Sequence, residues 1–490
     1  MLLAFAGCRT SFQIELPLSV LYIAWALKKS GVDVEIIDLR VDDPSKIKSG
    51  DYLFAGVSSM TGSALREGLK FSRHMKELNP QLPVVWGGVH VSLLPEQSIN
   101  NQNIDIIVRG EGELTVQELA MALKNGSDLA AVKGITYKKD GKVFTNSDRE
   151  FMNMNLIDAE LPYELLDMKR YANEVFPVHT SRGCPYRCGF CYNLAFNKRK
   201  WRAKTADKVL DEIEYVVNKF GAKGISFTSE DEFFIDVPRV REICEGLISR
   251  GIKVEWHSFC RYNSFKKIDA ELLDLIQKAG CKSLSLGAES GSKRILDEVI
   301  QKDIKIEDVI EATEKLKNSD IMQIVSFMSG LPTETDEDME MSFKLIDRLA
   351  EINPKNIYIN GLVLYTPYPG TPLFDDIVKK YKYKIPDSIE GWADIGIYRE
   401  TGITWHKKSY LKKYKMVSIL SRFPFWKKEF GIKDIEKAVL GGSRFTRFPY
   451  NVMYLMMTRD AMFRWKHRFF KLGFEWALLE KILESSRGYV

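Results

Sequence analysis

The chain has 490 residues, 45% hydrophobic and 28% charged, which is enough for about three domains that each bury a core. Lys and Arg number 71 against 66 Asp and Glu, and a net charge of +5 is too weak a bias to argue for nucleic acid, so any basic surface is local. No run approaches the roughly 20 apolar residues of a membrane span, the N-terminus enters a strand without a signal-peptide pattern, and seven cysteines with three clustered fit a reducing, cytoplasmic setting.

Residues 1 to 148 read as an α/β unit. Short apolar runs at 2–5, 33–38, 52–58, 84–86 and 104–108 alternate with helical stretches such as 18–29 and 64–78, and this alternation predicts a parallel sheet. In doubly wound sheets, ligands bind beyond the carboxyl ends of the strands. Here those ends carry Ser58-Ser59-Met60-Thr61-Gly62, Gly87-Gly88-Val-His90 and Arg109-Gly110-Glu111-Gly112-Glu113, three glycine- or hydroxyl-rich loops on one edge. Glycine lets backbone approach a ligand closely and hydroxyls bond its polar groups, while plain tight turns are the alternative. Asp140-Gly141, central in 134–145, predicts a hairpin that closes the unit. Residues 149–174 lack strand alternation, contain Leu161-Pro162, and read as a linker with short helices.

From Val175 onward strands and helices alternate again. Strands are predicted at 175–180, 224–228, 254–260, 283–286, 322–328 and 356–364, with helices at 206–219, 237–250, 270–278, 293–316 and 337–349. Six βα units imply a partial, open barrel of the TIM type over 175–375, with active residues on the loops after the strands. The first such loop is His179-Thr-Ser-Arg-Gly-Cys184-Pro-Tyr-Arg-Cys188-Gly-Phe-Cys191-Tyr192. Iron–sulfur and structural zinc sites take four ligands, so three thiolates leave one position open, and an open position suggests chemistry rather than structure. A zinc site completed by His179 and three unrelated core cysteines are the alternatives. Ser229-Glu230-Asp-Glu-Phe-Phe234, Gly287-Ala-Glu289-Ser290-Gly-Ser292 and Phe327-Met-Ser-Gly330-Leu-Pro332 follow later strands and supply carboxylates and glycines. After the sixth strand, Leu364-Tyr-Thr-Pro-Tyr368-Pro-Gly-Thr-Pro-Leu-Phe374 sets three prolines around a glycine, a rigid path able to hold an aromatic wall above a site. Cys244, Cys260 and Cys281 show no ligand spacing and read as core thiols.

The cysteine loop resembles that of the radical S-adenosylmethionine (SAM) superfamily. Residues 56–61, 87–96 and 109–113 resemble the cobalamin-binding domain that precedes it in one large branch, and the likeness runs to about residue 380. The resemblance implies a Rossmann-like cobalamin domain, then a radical SAM barrel with a [4Fe–4S] cluster on Cys184, Cys188 and Cys191 and SAM on the fourth iron. It further implies that Glu289 and Ser290 meet the nucleoside, Glu230 the methionyl amine and Arg261 the SAM carboxylate. Tyr192 touches adenine through its backbone, Gly330 admits the adenosine, and Tyr368 lies in the catalytic wall. Cobalamin is expected on Ser58 to Gly62, Gly87, Gly88, His90 and Gly110 to Glu113. One departure stands out: where other B12 domains have Asp-x-His-x-x-Gly, this chain reads Gly7-Cys8-Arg9-Thr-Ser-Phe-Gln-Ile-Glu15, without histidine. Cobalamin is therefore expected base-off, its tail in the sheet and Cys8 and Arg9 near its lower face; were a histidine on cobalt, His90 would be the first suspect.

The reaction so implied is cleavage of SAM to a 5′-deoxyadenosyl radical, hydrogen abstraction from a substrate carbon, and methylation of that carbon from methylcobalamin. A ring-forming oxidative cyclase and a non-catalytic cobalamin or iron–sulfur sensor are the other readings. The expected partners are a small-molecule or natural-product substrate and an electron donor such as flavodoxin or ferredoxin. Beyond residue 376 the composition changes. Lysine pairs interleave with Trp405, Tyr410, Trp426 and Phe430, and Arg464-Trp-Lys-His-Arg-Phe-Phe-Lys471 concentrates both characters. This helical segment is expected to cap the barrel. Its basic and aromatic residues fit either a peripheral membrane contact or side chains that snorkel over a core.

Overall fold

Apolar β-branched runs separated by amphipathic helices build two parallel sheets in the computed structural model, which describes residues 1–7, 14–47, 50–171, 174–227, 232–396, 403–421 and 447–470. The first sheet contains β1 (Leu2–Ala6), β2 (Glu35–Asp38), β3 (Ala55–Ser59), β4 (Val84–Gly87), β5 (Ile106–Val108), β6 (Ile135–Lys139) and β7 (Lys142–Thr145), in the order β2-β1-β3-β4-β5-β6-β7. Strands β1 to β5 are parallel, with Leu2 opposite both Glu35 and Ala55. Helices Leu18–Lys29, Ser63–Leu78 and Glu113–Asn125 cover the faces, which is why these strands read as continuous apolar runs rather than alternating ones. Because β1 lies between β2 and β3, the connections leave in opposite directions and open a crevice at the carboxyl ends of β1 and β3. The expected hairpin is β6–β7, turning on Asp140 (φ 49°) and Gly141 (φ 72°), the paired left-handed residues of a tight two-residue turn.

The second sheet runs β8-β11-β12-β13-β14-β15, all parallel and in chain order: β8 (Val175–Pro177), β11 (Gly224–Phe227), β12 (Glu255–Cys260), β13 (Cys281–Glu289), β14 (Met322–Ser329) and β15 (Ile357–Leu364). A two-stranded ribbon, β9 (Ser181–Arg182) against β10 (Arg202–Ala203), closes the cysteine loop at its base. Six βα units and two unpaired edges, β8 and β15, give the partial barrel that the alternation predicts. One predicted element differs. The helix expected over 293–316 is divided into a π-helical turn Ile295–Val299 and a helix Ile306–Leu316, with Gln301 (φ 49°) and Asp303 (φ 58°) left-handed between them. The break has a physical cause: the Ile300 carbonyl accepts from Gly189 N, Lys302 turns inward to Glu289, and Asp303 pairs with Arg187, three bonds an unbroken helix would not make.

The later chain folds back on the barrel. Helix Lys408–Leu420 packs along β15, and Leu362 N donates to Ser421 Oγ. Trp465 is buried and donates to Asp347, and Arg468 pairs with Asp347 and Glu340, so this basic and aromatic stretch packs on helix Asp336–Ile352. Trp426, Phe430 and Lys471 lie outside the described residues. Among the described residues no helix is long and apolar enough to cross a membrane.

Candidate active site

Strand β8 and the β9–β10 ribbon hold the cysteine loop from below. Gly183 (φ 83°) fits nothing larger, since a Cβ there would sit 2.1 Å from the Lys200 carbonyl oxygen. Gly189 N donates to Ile300 O at 2.8 Å, and Gly189 O accepts from Leu373 N at 2.9 Å, tying the loop to the divided helix and to the proline-rich exit of β15. Cys188 is buried and Cys184 and Cys191 are half-buried. Burial pushes the Cys184 thiol up to about 12, an environment in which a thiolate needs a cation. Arg261 Nη1 stands 3.0 Å from Cys188 Sγ, its guanidinium stacked 3.9 Å over the Tyr186 ring and also donating to Lys302 O. Three thiols on one short loop with a charged donor beside them suit a multi-iron cluster. Among the described residues no three His, Cys, Asp or Glu side chains converge on a single metal-ion position. His179 stacks on Tyr22 of the first sheet's helix, ring centroids 5.7 Å apart. Cys244, Cys260 and Cys281 are buried, as their spacing predicts.

The loops expected to face SAM divide. Glu289, left-handed at φ 61° at the end of β13, accepts from Lys302 Nζ at 2.5 Å, an ion pair almost out of solvent. Arg261 is directed at the cysteine loop rather than at open space. Ser290 is fully buried and packs with Ser342 on helix Asp336–Ile352, with Ser292 N donating to its Oγ, so it stabilises the exit of β13. Gly330 (φ 72°) donates its N–H to Glu334 and accepts from Trp405 Nε1 at 2.7 Å, which brings the C-terminal segment over the end of β14. Burial pushes the Glu334 carboxyl up to about 7. Glu230, Cys8 and Arg9 lie outside the described residues.

On the other side, the strand-end loops of the first sheet border a cavity of about 700 Å³. Ser58, Ser59, Met60, Thr61, Gly62, Gly87, Gly88 and Gly110 to Glu113 all reach it, and Tyr192 and Tyr368 face them from the barrel. It extends past the strand ends to Leu3, Phe54 and Val85, a slot into the sheet itself. Gly88 (φ 106°) forms the tightest wall: a Cβ there would lie 2.2 Å from the Ser59 carbonyl oxygen. A glycine-walled floor with an apolar slot beneath it fits a corrin ring with its tail buried. The Thr371 hydroxyl donates to Tyr368 O at 3.1 Å and fixes that rim.

His90 is not at the cavity. It is fully buried behind Gly88, Nδ1 bonded to Thr61 Oγ1 at 2.9 Å and the ring edge-on to Trp392 at 5.7 Å, with Nε2 unpartnered. Burial lowers its pKa to about 4. Between pH 6.5 and about 4 the unfolded chain binds a proton here that the folded chain does not, so stability falls as pH drops through that window. The loss is expected to reach about 3 kcal/mol. The His90 ring resonances are expected to stay unchanged in an NMR titration from pH 8 to 5.5; movement there would show the ring reached by solvent or metal.

The strongest feature of the site has no motif of its own. Arg182, two residues before Cys184, forks to Glu113 at 2.6 Å and Glu111 at 3.1 Å and lies over Tyr22 at 4.9 Å. Arg202 of β10 reaches the same Glu111 oxygen at 2.6 Å, and Met152 N donates to the other. Glu111 and Glu113 thus border the cavity while their charges are committed to the barrel. The two arginines sit on adjacent strands of the ribbon, and only its pairing, not their separation in sequence, shows that they act together.

Comparison with known proteins gives the same picture. The radical SAM superfamily profile matches residues 178–346, and the B12 binding domain profile matches residues 7–120. An uncharacterized methyltransferase of Pyrococcus horikoshii is 34% identical over 371 residues, 73% of this chain and 78% of that one. The anaerobic magnesium-protoporphyrin IX monomethyl ester cyclase of Cereibacter sphaeroides is 31% identical over 382 residues, 74% of this chain and 60% of that one. Among solved structures, the cobalamin-dependent SAM radical enzyme OxsB with aqua-cobalamin and SAM bound superposes with a TM-score of 0.70, at 19% identity, over 99% of this chain and 75% of that one.

Proposed function

Because this chain belongs to the family of cobalamin-dependent radical SAM enzymes, we propose that it methylates an unactivated carbon of a small-molecule or natural-product substrate. The observation that carries this reading is one cavity bordered by the glycine loops of the first sheet and by Tyr192, the residue after Cys191. When bound, the cluster with SAM supplies a 5′-deoxyadenosyl radical and cobalamin supplies a transferable methyl group. The chain's part is to hold and orient. Cys184, Cys188 and Cys191 are the cluster ligands, and Arg261 offers one of them a charged hydrogen bond. Glu289, kept in place by Lys302, faces the nucleoside, and Ser58 to Gly62 with Gly87 and Gly88 form the corrin floor. Tyr368 walls the substrate between them. Among the described residues the histidine that borders this cavity is His179, stacked on Tyr22 and outside the floor of Ser58 to Gly62, Gly87 and Gly88, and the slot into the sheet has room for the tail of a base-off cobalamin. The required electron comes from a donor such as flavodoxin or ferredoxin. Six cysteines lie among the described residues with no disulfide between them, which supports a cytoplasmic setting.

The cyclase relative supports a second reading, ring formation without methyl transfer. Anaerobic incubation with reductant, methyl-labelled SAM and extract metabolites separates the two. Methylation predicts 5′-deoxyadenosine together with label in a product one methylene heavier; a cyclase gives 5′-deoxyadenosine and no labelled product. If no candidate substrate elicits 5′-deoxyadenosine, both enzyme readings fail.

A further inference from the structure

A protein that cleaves SAM reductively must receive single electrons from outside, and the entry point is the surface closest to its cluster loop. Among the described residues, the cysteines outside the loop are separate, buried thiols and offer no relay. What covers the loop on its solvent side is unusual. After the turn Asn193–Phe196 the chain reverses through Lys198 (φ 50°) and Arg199 (φ 59°), two successive left-handed residues, neither of them glycine. Arg199 Nε donates to Pro185 O at 2.9 Å, and Lys200 N donates to Asn197 O at 2.9 Å. The result is three consecutive exposed cations: Arg199 lies against Pro185 beside Cys184, Lys198 reaches Asp148, and Lys200 lies 6.0 Å over the Phe151 ring.

Arg187, inside the loop itself, is 58% exposed and extends the patch. Asp303 pairs with Arg187 and Asp148 with Lys198. Arg199 and Lys200 have no carboxylate partner among the described residues. The Asp303 carboxyl is held low first by Arg187 and also by the charge of Arg199, so the cations share one surface. With two of the four cations offset by these carboxylates, the face keeps an excess of two positive charges, those of Arg199 and Lys200.

We propose that this face, Arg187 with Lys198, Arg199 and Lys200, is the docking surface for an acidic single-electron carrier protein. Charge complementarity selects the partner: an electropositive face beside a redox centre steers a negatively charged carrier into contact, and that steering weakens with salt. The step is one outer-sphere electron transfer. The carrier is oxidised by one electron, the cluster is reduced by one, and no bond forms or breaks. The inference rests on the radical SAM reading above.

The test uses the reconstituted full chain and a purified flavodoxin as probe. The variant Lys198→Asn/Lys200→Glu leaves Arg199 on Pro185 and puts at 198 a residue that tolerates the left-handed region. At low ionic strength, reduction of the cluster by reduced flavodoxin, followed by absorbance, is expected to slow about ten-fold, and the affinity for oxidised flavodoxin measured by calorimetry is expected to weaken by a similar factor. Reduction by dithionite should be unchanged, and the wild-type advantage should vanish at high salt. The milder Lys200→Gln variant, which changes one exposed side chain, is expected to show the same selectivity at about three-fold. Equal flavodoxin rates and affinities in variant and wild type would overturn the docking surface. A wild-type protein that dithionite cannot reduce would instead overturn the radical SAM reading on which it rests.

Discussion

Cys188→Ala is expected to lose cluster iron and SAM cleavage together. Cys188 is the fully buried thiol of the three, it receives Arg261 at 3.0 Å, and its carbonyl accepts from Cys191 N at 3.1 Å within the loop. Replacing an outer-shell partner of a metal ligand costs roughly 10–100-fold in affinity or activity, and removing a ligand should exceed that. The substitution also leaves a buried guanidinium facing a methyl group. The expected readouts are iron content after anaerobic reconstitution, the visible absorbance of the cluster, and 5′-deoxyadenosine formed with dithionite, all lost in parallel. Cys244→Ala is the control. That thiol is buried in helix Val237–Ser249, so its loss should cost no more than about 2 kcal/mol of stability and leave iron and cleavage intact. A Cys188→Ala protein that still cleaves SAM would remove the cluster from this loop.

The division of the cysteines into one loop and three separate core thiols was legible in the sequence because the spacing is local: three thiols within eight residues specify their own loop. The strand-end loops were legible for a similar reason, since strand alternation fixes which end of each strand a glycine-rich turn occupies. Three features were not legible, and each depends on contacts between residues distant in the chain. His90 follows Gly88 closely enough to seem part of the cavity loop. Yet Gly88 turns the chain at φ 106°, so His90 falls in the first turn of the short helix Val89–Leu93 and packs inward on Thr61 and Trp392, the latter about three hundred residues away. Arg261 follows a barrel strand, where the SAM carboxylate is the expected partner, and the sequence gives no sign that Tyr186 and the Lys302 carbonyl hold its guanidinium beside Cys188. The apolar spacing of 293–316 is helical throughout, and periodicity carries no sign that Lys302 is drawn inward by Glu289 and breaks the helix there.

The least legible feature should be among the most sensitive to substitution. Arg182→Met is expected to destabilise the protein by about 3–5 kcal/mol, because it strands the Glu113 carboxylate at a buried junction and leaves Glu111 with Arg202 as its one remaining cation. The Glu113 side chain is only 4% exposed and that of Glu111 9%, so neither can recover full hydration when the guanidinium is gone. At roughly 2–4 °C per kcal/mol, the thermal midpoint should fall by about 10 °C. The double variant Arg182→Met/Glu113→Leu should be less destabilised than Arg182→Met alone, since the pair is then replaced by apolar contact rather than broken. Arg182→Lys keeps the charge but loses the fork and should fall between. A generic packing defect would not reproduce that order.

The pH dependence carries the same logic. Burial pushes the Glu111 carboxyl up, but Arg182 and Arg202 more than reverse it and hold it below the ordinary 4.5. A carboxylate held low in the folded state contributes stability that is complete above the unfolded value and is lost as pH falls through the folded one. The gap in thermal midpoint between wild type and Arg182→Met should therefore be full at neutral pH and narrow only below about 4.5. Cobalamin affinity supplies the functional arm. Glu111 and Glu113 border the cavity, and Arg182 belongs to the strand that leads into Cys184, so the same ion pairs set the distance between the cavity's glycine-rich floor and the cysteine loop. If the arginine is a domain clamp, Arg182→Met should weaken cobalamin binding in equilibrium dialysis while the isolated cluster absorbance survives reconstitution. Unchanged cobalamin affinity with a lowered midpoint would reduce the clamp to a purely stabilising contact, and an unchanged midpoint would remove it altogether.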